Sequence, residues 1–286
     1  MIGYDRLGCN GRLGNQMFQY AALRGIATKR NFEWKIPPED YDHTANYGLF
    51  ETFEMSDVKE NNIGFINGQI VSENDHCFIE EFFTECPDNI TLDGFFQTEK
   101  YFNHIADLIR KEFTFKEQYL KPCKDYIDSL DKSPIFLHVR RTDSIGREEY
   151  HPILPISYFE ESLQEFSEDT PCFVFTDDLD WCKSQDYFNQ DKFLFNESID
   201  RYDYVSMDGL GKMQNTLLPQ VDLCLMSLCS GAIISNSSFS WWGAWLQNNR
   251  GKVIAPDPKK WFGTLMTHLD TSDMIPERWS IKEWSK

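Results

Sequence analysis

The sequence predicts an α/β protein built on parallel sheet, with its ligands at the strand carboxyl ends. Two observations predict it. From Ile135 onward short apolar strands alternate with amphipathic helices, which implies parallel strands covered on both faces. Charged and small polar residues then gather directly behind those strands, where such sheets hold their ligands.

Taken in order, residues 1–7 form a strand that is short and polar for a parallel sheet, and residues 8–10 add a loop before the glycine-rich stretch at residues 11–15. A helix over residues 16–30 follows: Phe18, Ala21, Ala22, Gly25 and Ile26 recur at helical spacing, and Lys29 and Arg30 suit its negative end. A helix that opens from a loop exposes backbone amides able to hold an anion, although an ordinary strand-to-helix turn fits this segment equally well. Residues 31–93 are acidic, aromatic and irregular; little function can be read from them, and acceptor choice is expected to lie there. A strand is expected over 90–96 and a helix over 101–113, with Phe102, Ile105, Ala106, Ile109 and Phe113 on one face. Residues 116–133 are charged and carry Pro122, so they are expected to be a linker separating a domain at 1–132 from one at 133–286.

The second half is more regular. Strands are expected at 135–139, 172–175, 192–195, 232–235 and 253–255, and helices at 155–166, 219–229 and 238–247. The tail at 263–286 is expected to pack back on the first domain.

A chain of 286 residues can form one large domain or two modest ones. Its formal net charge of −18 argues against nucleic acid and anionic membranes, so an anionic ligand needs a local cationic cluster working against the global field. No apolar run reaches the roughly 20 residues that span a bilayer, and Met1 leads directly into folded-looking sequence; a cytoplasmic location is expected. The eight cysteines show no zinc spacing, and most read as buried thiols. Asn89, Asn196 and Asn236 head N-x-S/T sequons that read as chance matches.

Three motifs lie behind strands. In the first, HVRRTD at 138–143, an apolar run closes on His138, Arg140, Arg141 and Asp143. Adjacent arginines point in alternate directions, so one can grip a phosphate while its neighbour anchors the loop. The second is Asp177, Asp178 and Asp180. These carboxylates could form a divalent-metal site. Alternatively, Asp178 or its neighbour caps a helix while the remaining aspartate accepts hydrogen bonds from a base or ribose, and this is preferred because the two arginines already neutralise a diphosphate. In the third, SNSSFSWWGAW at 235–245, small polar residues open a helix. Ser237, Ser238 and Ser240 are ligand candidates, and Trp241, Trp242 and Trp245 are assigned to packing.

Six segments now carry a resemblance: GRLGNQMFQYA at 11–21, DGFFQTEKYF at 93–102, HVRRTD at 138–143, LMSLC at 225–229, ISNSSFSWWGAWL at 234–246 and PDPKKWF at 256–262. Together, in this order, they resemble the alpha-1,2-fucosyltransferase family. The resemblance implies a GT-B architecture of two Rossmann-like domains facing across a cleft, with GDP-fucose as donor. It further implies inverting transfer to the 2-hydroxyl of a galactoside, the end of an oligosaccharide or glycoconjugate, with no metal and no cofactor. Arg140 and Arg141 would hold the diphosphate, and His138 with Asp177 or Asp178 would lie near the nucleoside. The turn of Ser235, Asn236, Ser237, Ser238, Phe239 and Ser240 would close on phosphate, and Gly14, Asn15 and Gln16 would face the reacting sugar. The stretch HVRRTDSIGREEYHP at 138–152 is also similar to a loop of the core alpha-1,6-fucosyltransferases in which a glutamate after the glycine is the base. By that match Glu148 is the candidate base, beside Asp143 in the tighter motif; a base-free reaction also fits. Alternatives to this function are another linkage, another GDP-sugar, or a nucleotide-sugar-binding protein without catalysis.

Overall fold

The computed structural model describes residues 1–41, 48–195, 219–247 and 251–285. The sequon at Asn196 lies outside them. The chain forms two compact units, Met1–Lys116 with Met266–Arg278, and Glu117–Leu265 with Trp279–Lys286.

In the first unit the elements run β1 (Ile2–Gly3), α1 (Leu13–Arg30), β2 (Trp34–Lys35), α2 (Leu49–Thr52), α3 (Ser56–Asn61), β3 (Gln69–Ser72), α4 (Glu81–Thr84), β4 (Ile90–Asp93) and α5 (Ala106–Glu112). Its strands pair in parallel in the order β2-β1-β4-β3. Among its described residues the segment expected to be irregular thus supplies, besides β4, two strands and three short helices. The strand expected over 1–7 shrinks to Ile2–Gly3 because Asp5 leaves the ladder: its carboxylate accepts the amides of Ile66 and Asn67, and its own amide donates to Thr91 Oγ1. β4 stops at Asp93 rather than at residue 96 because Gly94 and Phe96 take φ of 142° and 52°, which no strand continues through. The helix expected over 101–113 is two 3₁₀ turns followed by α5. α1 begins at Leu13, so Gly14, Asn15 and Gln16 belong to its first turn and not to the loop. The amides of Asn15 and Gln16 are spent on Arg12 O.

In the second unit the order is α6 (Glu117–Asp128), β5 (Ile135–Val139), α7 (Ile156–Leu163), β6 (Cys172–Thr176), α8 (Leu179–Ser184), β7 (Phe193–Phe195), α9 (Pro219–Leu228), β8 (Ala232–Ile233), α10 (Ser238–Trp245), β9 (Val253–Pro256) and β10 (Ser280–Lys282). Its sheet is parallel in the order β10-β9-β8-β5-β6-β7. β5 is buried along its whole length; Ile135, Leu137 and Val139 face a core shared with Val174, Ile233, Ile254 and α7. Alternation puts Phe136 and His138 on the opposite face.

Two boundaries differ from the sequence expectation. Residues 117–128 form helix α6 and not a linker, so the division falls at 116/117 instead of 132/133. Pro122 removes one backbone donor, but packing on α9 offsets it: Cys123 is fully buried, with its thiol 3.8 Å from Val221 O. The tail divides as well. Met266–Arg278 joins the first unit, where Asp273 accepts the Phe78 amide and pairs with Lys100. Trp279 then returns to the second unit, its ring centroid 5.2 Å from that of Trp241, and β10 extends the sheet.

Candidate active site

The strand order places the candidate site. From β5 the chain proceeds outward through β6 and β7 on one side, then returns to β8 on the other, so the β5/β8 boundary is the topological switch point of the sheet. His138 and Ser235 meet there, with Nδ1 and Oγ 2.8 Å apart. Burial, and after it the Arg140 charge, hold the His138 imidazole well below its ordinary pKa, although Asp177 pulls the other way. The ring is therefore neutral at pH 7, a positioning group at the end of β5.

The two arginines beyond it do different things. Arg140 donates from Nε and Nη2 to the two oxygens of Asp143, both at 2.9 Å, and from Nη1 to Asn236 O at 3.1 Å. That fork is spent on the protein, tying the loop after β5 to the turn after β8. Arg141 is held from one side only: Nε donates to Asp178 Oδ2 at 3.1 Å, and the guanidinium carbon lies 3.8 Å from the centre of the Trp181 ring. Its two Nη nitrogens have no protein acceptor among the described residues. Four N–H bonds of a fixed, stacked guanidinium remain available, in the geometry that suits phosphate oxygens.

The aspartates behind β6 brace this arrangement. Asp178 caps α8 by accepting the Trp181 amide, and so sets the position of the ring on which Arg141 lies. Asp177 accepts the amides of Arg141 and Thr142 and the Thr142 hydroxyl, at 2.8, 3.0 and 2.6 Å. Its oxygens hold the loop after β5. Asp177, Asp178 and Asp180 do not converge, and among the described residues no three acidic, histidine or cysteine side chains are placed to hold a metal.

The turn after β8 is also more structural than expected. Asn236 is buried and donates from Nδ2 to Pro152 O and Trp261 O; Ser240 is fully buried and donates to Ser237 O. Ser237 caps α10 through the Phe239 amide, leaving Ser238 and Phe239 as the partly exposed members at the positive end of the helix. Trp241, Trp242 and Trp245 are buried against one another, as packing requires.

The two candidate bases separate clearly. Asp143 gives both oxygens to Arg140, whereas Glu148 is exposed and accepts the Gly146 amide through Oε1. Its loop is held by a close approach that nothing in the sequence signals. A side chain at Gly263 would meet the Glu149 carbonyl carbon at 2.3 Å, and the amides of Gly263 and Leu265 donate to Tyr150 O and Glu149 O.

In the first unit, Asn15 Oδ1 accepts from Gln97 Nε2 at 2.8 Å, which joins the glycine motif to the segment after β4. Gln16 is buried between Gly11 O and the Gly48 amide, and so serves the fold.

The profile of the family described as glycosyl transferase family 11 matches residues 4–264. This chain belongs to that family. As a family 11 glycosyltransferase it is 29% identical to an alpha-1,2-colitosyltransferase of Escherichia coli, over 94% of this chain and 95% of the relative. It is 24% identical to a bovine (Bos taurus) galactoside 2-alpha-L-fucosyltransferase, SEC1, over 88% of this chain and 67% of that one. Among solved structures it is similar to the alpha-1,6-fucosyltransferase NodZ co-crystallised with GDP, with a TM-score of 0.54 and 12% identity over 90% of this chain and 94% of the other. The family 11 chain is thus a GT-B-type α/β protein with two parallel sheets. Among the described residues, none of its helices is long and apolar enough to cross a membrane.

Proposed function

We propose that this glycosyltransferase moves L-fucose from GDP-fucose to the 2-hydroxyl of a galactoside, with inversion and without a metal. The observation that carries the reading is Arg141, stacked on Trp181 at the switch point, with no acceptor for its Nη nitrogens among the described residues. In an acidic chain such a fixed cation suits the diphosphate of a nucleotide sugar.

In the reaction the acceptor oxygen attacks the anomeric carbon as the bond from that carbon to the GDP oxygen breaks. The electron pair leaves on the β-phosphate, where Arg141 meets the developing charge. The hydroxyl proton passes to Glu148, the exposed carboxylate of the loop after β5. Arg140 and Asp143 position that loop, and His138 with Ser235 sets its origin.

Incubation with GDP-fucose and a panel of galactosides in EDTA tests this, with GDP release and the linkage of the product by NMR as readouts. Turnover to an α-1,2-linked product is expected. Tight GDP binding without turnover on any galactoside would sink the enzymatic reading, and another linkage would correct the regiochemistry. A second donor is favoured by the relative that is an alpha-1,2-colitosyltransferase, since colitose is fucose lacking its 3-hydroxyl. The kcat/KM values for the GDP esters of the two sugars decide between them.

A further inference from the structure

The loop that follows β5 carries hydrophobic side chains that the fold does not bury. Ile145 is 55% exposed and Tyr150 48%, and Leu265, on the segment bonded to this loop, is 49% exposed. Among the described residues of the second unit, only Ile281 joins them as an exposed large hydrophobic side chain. Single exposed apolar residues need no explanation, but three of four gathered on one loop and its clasp do.

The backbone under these side chains is fixed. Arg141 O accepts the amides of Ser144 and Ile145, Ser144 O accepts that of Arg147, and Arg147 O accepts those of Tyr150 and His151. The clasp is also made of backbone: the Gly263 amide donates to Tyr150 O at 2.8 Å, and the Leu265 amide to Glu149 O at 2.9 Å. Tyr150 is thus held at both its amide and its carbonyl while its ring stands half in solvent. A tyrosine held in this way offers a flat, amphipathic surface with only two torsions left to order on binding.

Position in the chain says what that surface meets. Glu148 is two residues earlier, so the two α-carbons lie no more than about 7 Å apart, the scale of a single sugar ring. Arg147, Glu148 and Glu149 are exposed between Ile145 and Tyr150. An aromatic face bordered by charged groups suits a pyranose, whose C–H face packs on a ring while its hydroxyls hydrogen-bond. A second copy of this chain is the competing occupant. Stable interfaces bury about 800 Å² per partner around a centre depleted of charge, whereas three consecutive charged residues interrupt the apolar ones here.

We propose that Tyr150 is the platform for the acceptor, whose sugar ring lies with its C–H face on the phenol ring and with Leu265 at the rim. The inference rests on the galactoside-transfer reading above, with Glu148 as the base; every group it uses belongs to the second unit.

The test is Tyr150→Ala beside Tyr150→Phe, assayed on the galactoside that the wild type uses best. Tyr150→Ala should raise the acceptor KM about fivefold or more, the scale of a lost aromatic contact, while GDP affinity by calorimetry stays within about twofold. Tyr150→Phe keeps the ring and should stay within about twofold of wild type. A substitution that merely loosened the loop would displace Glu148 and lower kcat with the acceptor KM unchanged. That pattern, unchanged kinetics, or a KM raised equally by Tyr150→Phe overturns the platform and leaves the transfer reaction standing. If Glu148→Gln keeps the wild-type kcat, the base lies elsewhere, and Tyr150→Ala still reads the platform. If the wild type turns over no galactoside, the transfer reading fails, and saturation-transfer NMR with lactose in the presence of GDP decides. A lactose signal present in wild type, lost in Tyr150→Ala and retained in Tyr150→Phe supports the platform; no signal in wild type, or one that persists in Tyr150→Ala, overturns it.

Discussion

The guanidinium carbon of Arg141 lies 3.8 Å from the centre of the Trp181 ring, and Asp178 holds both, accepting from Arg141 Nε and from the Trp181 amide. One aspartate thus fixes a cation and the surface it rests on. Truncating Trp181 to Ala should free Arg141 and weaken GDP binding about fivefold, the scale of a cation–π contact. Arg141→Ala should lose GDP affinity about 100-fold or more, as expected when a charged phosphate donor is removed. Calorimetry with GDP checks both; normal binding by Arg141→Ala would show that the phosphate grip lies elsewhere.

Asp143 and Glu148 should separate by the parameter they change. Glu148→Gln is expected to lower kcat about 100-fold or more with GDP affinity intact, since a general base contributes 10²–10⁴. Asp143→Asn breaks a charge-assisted fork to Arg140 and should lower melting temperature and GDP affinity together. The assignment of Glu148 is falsified if Glu148→Gln retains wild-type kcat.

Gly263 offers a control on loop position. Its Ala variant puts a methyl group where the Glu149 carbonyl carbon is 2.3 Å away, so the loop carrying Glu148 must shift. The expected result is a fall in kcat of about tenfold with little change in GDP affinity, because a displaced catalytic group costs rate more than donor binding. Single-turnover kinetics beside GDP calorimetry reads the difference.

The pH dependence of stability has two opposed parts. Glu73 has a folded pKa raised to about 8, so its contribution is complete below its unfolded value of roughly 4.3 and is lost as pH rises through 8. His138 and His76 have lowered folded values, so their contribution is complete above roughly pH 6.5 and is lost as pH falls below it. The parts oppose one another in mild acid; above pH 7 Glu73 is joined by buried thiols such as Cys172 and Cys229, whose raised pKa values add a loss common to wild type and variant. Between pH 7 and 9 the wild type should lose about 1 kcal/mol more than Glu73→Gln does. Thermal melts at the two pH values measure it; equal slopes for the two proteins would place the proton elsewhere.

Several elements were legible because their patterns are local. The strand at residues 135–139 is continuous apolar sequence, buried on both faces, and its charged ending marks the site. The helix behind the glycine motif and the buried tryptophans after β8 follow from spacing and size. The linker expected at residues 116–133 was misread because Pro122 suggests a break, whereas burial of Cys123 against α9 keeps the helix. Residues 31–93 looked irregular because their strands run two to four residues, too short to show a period.

The sequence by itself determined which chemistry is present: the parallel α/β class, the paired arginines behind a buried strand, and the six segments that resemble a transferase family. Only the tertiary structure decided how that chemistry is divided. Arg140 and Arg141 are adjacent in the chain, yet Asp143 and Asn236 consume one fork while Asp178 and Trp181 hold the other by its inner edge. Glu73 had no signal at all, because burial by distant residues raises its carboxyl pKa against the two backbone amides that favour the charged form. Availability and protonation belong to the packed neighbourhood, and a linear pattern does not contain it.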